Sequence, residues 1–386
     1  MASIRLEHVW KYYGPVEAVK DLSLYCEDGH LLALLGPSGC GKTTTLKMIA
    51  GIEEVTRGEI YFDQRPVSTL YPGERNIAMV FEDYALYPHL TVAENIAFPL
   101  RLRRLPAAEI ERKVEGALEL LDMIPIRDHD VRSLSGGAQQ RAAIGRAFVR
   151  EPDLVLFDEP LSHLDGDQKV RLRAEIKRLQ KEKGRTSILV THDQTEAMAM
   201  ADQVAVMNLG VLNQLGTPQE LYDHPANLFV ANFIGEPPMN LFSGELKEEG
   251  GILVLQGQGW TISFSSLLSN KIRKTVSYSS LVVGIRPEHI QLLPGPAGPE
   301  CINGVSGVVF FRELRGDADV FLVRLPEASG KCGSQGILVG DLVTVEATEK
   351  IPYREDETVS LSFPEERLHL FDGRTGLNLF PSTRKA

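Results

Sequence analysis

The sequence predicts an α/β domain followed by a smaller all-β domain. Through about residue 235, short apolar runs alternate with segments of helical spacing, which is the pattern of a parallel sheet covered by helices. After Gly235-Glu236-Pro237-Pro238, short alternating runs are separated by glycine and proline, as is typical of a small β-barrel. A chain of 386 residues also fits two domains better than one. We therefore expect domains at residues 1–235 and 236–386.

Four short apolar runs predict buried strands of the parallel sheet, and polar or glycine-rich residues follow each run. The runs are His30–Leu35, Ile77–Phe81, Leu154–Phe157 and Ser187–Val190. Ligands of open α/β sheets bind at the carboxyl ends of the strands. The residues that follow these runs are therefore candidates for one common site.

Two apolar stripes at helical spacing predict helices that cover the sheet. The first begins after Pro106, and the second ends before Gly184. Their members are Ile110, Val114, Ala117, Leu118 and Leu121 in the first, and Leu172, Ile176 and Leu179 in the second. The simplest interpretation is that both stripes face the protein core.

Composition and charge argue against several classes of protein. Acidic residues outnumber basic ones by 52 to 41, a net charge of −11, so we expect no nucleic-acid partner. The four cysteines are scattered without a CxxC pair, which favours neither a disulfide framework nor a zinc site and fits a reducing cytosol. The charged start and the lack of a long apolar window predict neither a signal peptide nor a membrane span. Any role at a membrane would then depend on a partner protein.

A glycine-rich motif follows the first predicted strand. The segment Gly36-Pro37-Ser38-Gly39-Cys40-Gly41-Lys42-Thr43 matches G-x-x-x-x-G-K-[ST], and a helix-compatible run from Thr44 to Ala50 follows it. Its backbone N–H groups would curl around phosphate oxygens at a helix N-terminus. Lys42 would reach the β- and γ-phosphates of a nucleotide, and the Thr43 hydroxyl would bind Mg²⁺. The alternative is a plain glycine-rich turn that closes a strand.

Charged side chains follow two further strands. Asp158 and Glu159 come directly after one run, and His192 follows another. Asp158 would hold the metal, Glu159 would accept a proton from the water that attacks the γ-phosphate, and His192 would hydrogen-bond that phosphate. Taken alone, an Asp-Glu pair is often a solvated helix start, and a lone histidine is more often structural. Their place on a P-loop chain favours the catalytic interpretation.

A second glycine pair precedes another predicted helix. The segment Leu134-Ser135-Gly136-Gly137 lies before Gln140-Arg141 and a helical run that continues through Ala147. A hydroxyl and glycine amides at a helix N-terminus can bind phosphate, so the chain carries two such surfaces. This indicates a nucleotide shared between chains, although an ordinary capped helix fits the same residues.

The combination of the P-loop, Leu-Ser-Gly-Gly, Asp158-Glu159 and His192 resembles the ATP-binding subunits of ABC transporters over roughly the first 235 residues. Other segments look like the maltose-type importer ATPases, which carry a C-terminal regulatory barrel of OB-like fold. These segments are Tyr84–Leu90, Phe233–Gly235 with Met239-Asn240, and Gly284–His289. The resemblance therefore spans nearly the whole chain, and it implies a helical subdomain at about residues 88–150.

The resemblance implies a head-to-tail dimer that holds each ATP between the P-loop of one subunit and the Leu-Ser-Gly-Gly helix of the other. Tyr13 occupies the aromatic position that stacks on adenine, and Asp165 lies in the loop that crosses the dimer interface. The segment Glu82–Leu90 would lie against a helix of a membrane-embedded partner. The residues implied to act in cis are Gly36 to Thr44, Asp158, Glu159 and His192, and those implied to act in trans are Ser135, Gly136 and Gly137.

Two residues depart from the family pattern. Glu82 stands where glutamine usually offers Mg²⁺ a neutral carbonyl, so its charge would strengthen the metal contact and also repel phosphate. Ala138 stands where the signature usually continues with glutamine, and it lacks an amide that contacts nucleotide across the interface. Both changes would fall on every site of a homodimer, whereas in a heterodimer they would fall on different sites. The sequence leaves both kinds of dimer open.

We predict an ATPase subunit of an importer for a sugar, polyol or similar small solute, using ATP and Mg²⁺. Its expected partners are two integral membrane permease subunits, a second ATPase subunit and, indirectly, an extracytoplasmic solute-binding protein. It would be a peripheral protein at the cytoplasmic face of the cell membrane. The alternative is an ATP-binding regulatory or scaffold subunit with weak hydrolysis, paired with a more active paralogous ATPase. A DNA-repair ATPase is disfavoured by the acidic charge and by the lack of a coiled-coil insertion.

Overall fold

The computed structural model describes residues 2–257, 260–275, 280–297, 303–316, 318–325, 342–348 and 352–381. Contacts divide the chain into two compact units, Met1–Gln219 and Glu220–Ala386. Each unit contains its own cluster of buried apolar side chains. The two units are therefore described separately.

The strands of the first unit form two sheets. They are β1 (Ile4–Tyr13), β2 (Val16–Cys26), β3 (Leu31–Leu35), β4 (Arg57–Phe62), β5 (Arg65–Pro66), β6 (Ile77–Val80), β7 (Leu154–Asp158), β8 (Thr186–Thr191), β9 (Gln203–Asn208) and β10 (Val211–Gly216). One sheet has the order β10-β9-β3-β8-β7-β6, in which only β10 pairs antiparallel with its neighbour. The four predicted apolar runs are β3, β6, β7 and β8, so the prediction of a parallel sheet is confirmed.

The second sheet of this unit is antiparallel, with the order β2-β1-β4-β5, and the sequence analysis did not predict it. Along β1, buried residues alternate with more exposed ones, which is the pattern of a sheet with one face on the core. Register shifts interrupt the pairing of β1 with β2 between Leu6 and Tyr12. A search for continuous apolar runs misses such strands because every second residue is polar or half-exposed.

The helices of the first unit are α1 (Lys42–Ala50), α2 (Val92–Leu102), α3 (Ala107–Leu120), α4 (Gly136–Phe148), α5 (Gly166–Lys183) and α6 (Gln194–Met200). The predicted stripes lie on α3 and α5: Val114 and Leu118 are buried on the first, and Leu172, Ile176 and Leu179 on the second. Gly184, with a φ of 59°, ends α5 in the left-handed conformation that favours glycine. Helices α2, α3 and α4 pack on one another within the range expected for a helical subdomain.

The second unit consists mainly of two antiparallel five-stranded sheets around one apolar core. Its strands are β11 (Asn240–Glu249), β12 (Ile252–Gln256), β13 (Thr261–Ser263), β14 (Ser280–Ile285), β15 (Gln291–Pro294), β16 (Val305–Leu314), β17 (Asp319–Arg324), β18 (Leu342–Ala347), β19 (Thr358–Ser362) and β20 (His369–Asp372). The sheet orders are β13-β12-β11-β14-β20 and β15-β19-β16-β17-β18. The expected all-β domain is therefore present. Its helices are α8 (Leu228–Phe233) and α9 (Ser266–Thr275), and α7 (Pro218–Asp223) crosses the division between the units.

The boundary expected at residue 235 differs from the division in the structure, which falls between Gln219 and Glu220. The reason is that segment 220–235 packs with the second unit. Leu228 and Ala231 of α8 join a buried cluster with residues of β11, β14 and β20. The Arg286 guanidinium, at only 1% exposure, also donates hydrogen bonds to backbone carbonyls of this segment, those of Tyr222, Ala231 and Ile234.

The structure also bears on three features that the composition argues against: a membrane span, a disulfide framework and a zinc site. Among the described residues, no helix combines the length and hydropathy needed to cross a bilayer. Cys26 and Cys40 are buried and unpaired, whereas Cys301 and Cys332 lie outside the described residues. In the same part of the chain, no group of three or more histidine, cysteine or acidic side chains has a geometry that could hold a metal ion.

Replacing Arg286 by methionine should destabilise the second unit. The change keeps an apolar stem but leaves the carbonyls of Tyr222, Ala231 and Ile234 without their donor, at a cost of roughly 3 kcal/mol. The chain has two tryptophans, Trp10 in the first unit and Trp260 in the second, so a Trp10→Phe background lets fluorescence report the second unit alone. At a slope of about 2 kcal/mol per molar, the urea midpoint should fall by roughly 1.5 M.

Arg354→Met is the matched control, since Arg354 is exposed. It should move the midpoint by no more than about 0.3 M. Equal midpoints for Arg286→Met and the control would show that the buried guanidinium does not hold segment 220–235.

Candidate functional site

The P-loop connects β3 to α1, and packing demands glycine at two of its positions. A Cβ atom on Gly36 would lie 2.2 Å from the carbonyl oxygen of Met207. At Gly41, where φ is 100°, a Cβ atom would lie 2.5 Å from the carbonyl oxygen of Ala18. Gly41 is also the N-cap of α1. Because glycine has no side chain, the first N–H groups of the helix receive no capping hydrogen bond from this position. The loop is therefore held close to β9 and β2, with amide donors at its helical end.

Lys42 places a positive charge at the centre of this loop. Its side chain is buried, and Nζ donates to the carbonyl oxygens of Gly36 at 2.7 Å and Pro37 at 2.9 Å. The loop thus folds over its own lysine. A buried ammonium held by backbone carbonyls is well placed to attract an anion that reaches the loop.

Thr43 and Asp158 face each other across the carboxyl ends of β3 and β7. The Thr43 hydroxyl donates to Oδ1 of Asp158 at 3.4 Å. Burial raises the pKa of Asp158, and the nearby carboxylates of Glu159 and Glu82 act in the same direction. Since three carboxylates crowd one small region, a bound cation would relieve their mutual repulsion.

Glu82 follows β6, the edge strand of the same sheet. Its Oε1 accepts a hydrogen bond from Ser162 Oγ at 3.3 Å and lies 3.5 Å from Nε2 of His163. Neither Ser162 nor His163 belongs to a motif by itself, so no sequence pattern predicts this contact with Glu82. When its ring carries a proton, His163 partly offsets the charge that distinguishes Glu82 from glutamine.

Glu159 and His192 form a direct contact, with His192 Nδ1 2.8 Å from Glu159 Oε2. The strand register causes this contact, because Asp158 pairs with Val190 and the Glu159 N–H donates to the Val190 carbonyl at 2.9 Å. Glu159 has a φ of 44°, an uncommon conformation for a residue other than glycine. The turn after β7 thus directs the Glu159 carboxylate towards the histidine after β8.

A buried network fixes the turn that carries His192. The Thr191 hydroxyl donates to Oε2 of Glu196 at 2.7 Å and accepts from the Asp193 N–H at 3.0 Å. Lys169 of α5 lies 3.4 Å from the carboxylates of both Asp193 and Glu196. Burial raises the pKa of Glu196. Sequence reasoning missed Lys169 and Glu196 because a helical lysine or glutamate gives no sign of its partners.

Tyr13 lies at the end of β1, with 44% of its surface exposed. Lys11 Nζ is 4.9 Å from the centre of its ring. The pKa of Tyr13 is raised by burial of its hydroxyl and by the Glu53 carboxylate, while a hydrogen bond with Thr44 acts in the opposite direction. Tyr13 is therefore adjacent to Thr44 at the end of the P-loop, and its ring can still accept a stacking partner.

Ser135, Gly136 and Gly137 begin α4. Ser135 is the N-cap, and its hydroxyl accepts from the Ala138 N–H at 3.4 Å. A Cβ atom on Gly136 would lie 3.3 Å from Leu164 Cδ2 and 3.4 Å from the Tyr84 hydroxyl. Within this chain, the start of α4 therefore contacts residues other than those of the P-loop. Asp165, next to Leu164, is the N-cap of α5 and accepts from the Gln168 N–H at 3.1 Å.

Tyr84 and Ala85 form an unusual turn after Glu82. Both have positive φ values, 63° and 46°. Arg146 of α4 donates to both of their carbonyl oxygens, at 2.8 Å for Tyr84 and 2.6 Å for Ala85. One arginine on the helix of Ser135 thus holds a strained turn that follows the sheet edge.

An apolar groove of about 430 Å³ lies beside this turn. Its lining includes side chains of α2 and of the segment after β6, among them Phe81, Tyr87, Phe98 and Leu102. Leu102 is 70% exposed and Phe81 37% exposed. Because exposed apolar grooves commonly mark interaction sites, the groove is a candidate surface for a partner helix.

The chain matches three protein families along its length. The ABC transporter family matches residues 19–162, the MalK OB fold domain matches residues 235–290, and the TOBE domain matches residues 283–371. Together these matches cover most of both compact units.

Curated relatives align over nearly the whole chain. The trehalose/maltose import ATP-binding protein MalK of Thermococcus litoralis is 42% identical, covering 98% of this chain and 100% of that protein. The sn-glycerol-3-phosphate import ATP-binding protein UgpC of Escherichia coli O6:K15:H31 is 42% identical, covering 97% and 99%. The trehalose import ATP-binding protein SugC of Mycobacterium tuberculosis is 42% identical, covering 98% of each chain.

Solved structures match a little over half of the chain. The ATP-binding cassette MJ0796, a dimer in a post-hydrolysis state bound to ADP and phosphate, is 29% identical with a TM-score of 0.50, covering 56% of this chain and 98% of that one. CbiO1 of Clostridium perfringens, part of an ABC transporter complex, is 29% identical with a TM-score of 0.54, covering 56% and 89%.

Replacing Arg146 by methionine should loosen the turn at Tyr84 and Ala85. The variant keeps most of the apolar stem but removes both donors that hold the strained carbonyls. Hydrogen exchange of a peptide spanning residues 82–90 should become on the order of ten times faster. Arg101→Met, which removes an exposed arginine of α2 that does not line the groove, is the control and should leave that peptide unchanged. Unchanged exchange in the Arg146 variant would show that the turn keeps its conformation without these two hydrogen bonds.

Proposed function

This chain belongs to the ATP-binding subunits of ABC transporters that carry MalK-type OB and TOBE domains, and on that premise we propose how its residues act. The family hydrolyses ATP to drive import, and this chain is an ATPase subunit of such an importer. The observation that carries the residue assignment is the convergence of the P-loop, Asp158 and the Glu159–His192 pair at adjacent strand ends. Such ends are where open α/β sheets bind ligands.

The P-loop from Gly36 to Thr44 would hold the triphosphate. Its N–H groups and the start of α1 supply donors, and Lys42 supplies the charge at the β- and γ-phosphates. To do so, Lys42 would exchange at least one of its carbonyl contacts for a phosphate oxygen. Tyr13 would stack on the adenine ring, since its exposed face lies next to Thr44.

The residues around Asp158 offer a magnesium ion two carboxylates and a hydroxyl, so they would hold it only together with oxygens of the bound nucleotide. The Thr43 hydroxyl and the carboxylates of Asp158 and Glu82 are the hard oxygen ligands that Mg²⁺ prefers. Burial raises the pKa of Asp158, and the Glu159 and Glu82 carboxylates act in the same direction. Held by these residues, the ion would supply positive charge that offsets the negative charge of the triphosphate. Glu82 would contribute more charge than a glutamine, partly offset by His163 whenever that ring is protonated.

Glu159 would act as the general base of hydrolysis. A water oxygen attacks the γ-phosphorus, its proton passes to the Glu159 carboxylate, and the bond from phosphorus to the bridging oxygen breaks to give ADP and phosphate. His192 holds Glu159 through Nδ1 at 2.8 Å, so Nε2 is the ring nitrogen that would meet the γ-phosphate. The Thr191–Glu196–Lys169 network would keep both side chains in position.

A second copy of an ATP-binding subunit would complete the site. Cβ atoms added to Gly136 and Gly137 would lie within 3.4 Å of Leu164, Tyr84 and Gln168 of the same chain. Ser135, Gly136 and Gly137 nevertheless begin a helix with donors suited to phosphate. Head-to-tail pairing would place them on the γ-phosphate held by the partner's P-loop, and Asp165 would lie at the same interface. ATP would then act as the bridge between the two subunits.

Two integral membrane permease subunits would receive the motion that ATP drives. The support is the apolar groove beside Tyr84 and Tyr87, which could accept a helix of one permease. The matching groove of the second ATPase subunit would then serve the other permease. An extracytoplasmic solute-binding protein would deliver the solute to those permeases, and this chain would work peripherally at the cytoplasmic face of the membrane. We propose a sugar, polyol or related small solute, since the relatives include import proteins for trehalose, maltose and sn-glycerol-3-phosphate.

Glu82 and Ala138 favour a second candidate arrangement, in which this chain pairs with a more active paralogous ATPase and itself hydrolyses weakly. Glu82 adds charge to the chain's own metal site, and Ala138 alters the site that the chain completes for its partner. The intact Glu159–His192 contact weighs for the first candidate. Two copies of this chain with full transport-coupled ATPase activity, and no second ATPase, would exclude the paired arrangement.

Replacing Glu159 by glutamine should lower ATP hydrolysis on the order of 10²–10⁴-fold while ATP still binds, because the amide cannot accept the proton from water. Lys42→Ala is the contrasting variant and should weaken ATP binding itself, since it deletes a charge-assisted contact. Fluorescent-nucleotide binding and phosphate release, measured side by side, separate the two effects. Near-normal turnover in Glu159→Gln would remove Glu159 from the mechanism, and unweakened binding in Lys42→Ala would overturn the P-loop assignment.

A further inference from the structure

Lys11 is a buried lysine beside the tyrosine that we assign to adenine. It lies in β1, two residues before Tyr13, and side chains two residues apart on a strand leave the same face. Only 8% of its surface is exposed, although lysine is seldom buried unless it is paired. It belongs to none of the nucleotide motifs. The reason for its burial must therefore lie in its contacts.

Three contacts hold the ammonium of Lys11. Its Nζ donates to the carbonyl oxygen of Glu54 at 2.8 Å and lies 3.0 Å from Oε2 of Glu53. It also lies over the Tyr13 ring, 4.9 Å from the ring centre. The hydrogen bond from Lys11 lowers the pKa of the Glu53 carboxylate, so that Glu53 stays ionised at neutral pH. A positive charge is thus held at one face of the Tyr13 ring.

Glu53 and Glu54 connect this contact to the helix of the P-loop. Gly51 ends α1 in the left-handed conformation, with a φ of 75°. Two residues later, the Glu53 N–H donates to the carbonyl oxygen of Lys47, in the last turn of α1, at 3.2 Å. One helix therefore presents amide donors for phosphate at its start and carries the partners of Lys11 just beyond its end.

The backbone on both sides of Lys11 is joined to the same segment. The Thr56 N–H donates to the carbonyl oxygen of Trp10 at 2.9 Å, and the Tyr12 N–H donates to the Thr56 hydroxyl at 3.2 Å. These hydrogen bonds hold β1 against the chain that follows α1. The ammonium therefore has little freedom to leave the aromatic ring beside it.

We propose that Lys11 is a positioning residue for adenine binding, which holds the Tyr13 ring in the orientation on which the base stacks. The inference rests on the proposed stacking of adenine on Tyr13, and it names the group that fixes the ring. The cation occupies one face of the ring, and 44% of Tyr13 remains exposed, so the base would use the other face. A desolvated cation binds an aromatic face more strongly than an exposed one does. Because the partners of Lys11 follow α1, the ring would be preorganised relative to the phosphate donors.

ADP and inorganic pyrophosphate test this role, because they share a diphosphate and differ by the adenosine group. Their affinities for the full chain, each with Mg²⁺, are measured by calorimetry, so the test needs no hydrolysis. Lys11→Met should weaken ADP binding about fivefold and change pyrophosphate binding by less than about twofold. A residue that only supported the fold would weaken the binding of both ligands together.

Tyr13→Ala separates this proposal from the stacking on which it rests. Loss of the ring should weaken ADP binding on the order of tenfold. Adding Lys11→Met to Tyr13→Ala should change the ADP affinity by less than about twofold, because no ring is left to position. Unchanged ADP affinity in Tyr13→Ala would show that adenine does not stack on Tyr13. The expected loss in Tyr13→Ala, with no loss in Lys11→Met, would overturn the role of Lys11 alone.

Two further variants guard against a change of fold. Lys11→Met combined with Glu53→Gln leaves no carboxylate unpaired, and it should show the same selective loss of ADP affinity. Lys113→Met is the matched control, since Lys113 forms an ion pair with Glu151 at 2.7 Å in the same unit, outside the nucleotide motifs. It should change neither affinity by more than about twofold. Equal loss of both affinities in Lys11→Met and in its combination with Glu53→Gln, or additive effects of Lys11→Met and Tyr13→Ala, would overturn the proposal.

Discussion

The pairing of β3, β7 and β8 is the constraint on which the nucleotide site depends. Leu35 pairs with Thr191, and Asp158 pairs with Val190, so the three strands end within one residue of one another. Gly36, Glu159 and His192 therefore leave the sheet at the same edge. A shift of one residue in β7 would turn Asp158 to the other face of the sheet and separate it from Thr43. The proposed mechanism of hydrolysis thus depends on a backbone register that is set by buried apolar residues away from the reacting groups.

Much of the arrangement at this edge of the sheet, both its strands and the motif residues after them, could be predicted from the sequence. Continuous apolar runs mark strands that are buried on both faces, and motif spacing places Lys42, Asp158 and His192 after those strands. The antiparallel sheet of β1, β2 and β4 was missed because its strands alternate and are interrupted by register shifts. No local pattern indicates that segment 220–235 packs with the second unit, since its packing depends on one buried arginine more than 50 residues further along the chain.

The contacts that support the site were also beyond prediction from sequence. Lys169, Glu196 and His163 act through partners brought together only by folding, and no local pattern reveals such partners. The same holds for Arg146, which holds the Tyr84–Ala85 turn. Of these residues, His163 contacts Glu82, and Arg146 of α4 holds the Tyr84–Ala85 turn that follows Glu82 beside the groove at Tyr87. This connection gives the proposed coupling to the permeases a physical path.

ATP hydrolysis by the purified chain at increasing protein concentration tests the central claim most directly. If the chain is an ATPase whose site is completed by a second copy, the Mg²⁺-dependent rate per chain should rise with chain concentration and then level off as dimers form. A rate no higher than that of Lys42→Ala at any concentration would contradict the claim that this chain hydrolyses ATP. A constant rate per chain down to high dilution would contradict a site shared between two subunits.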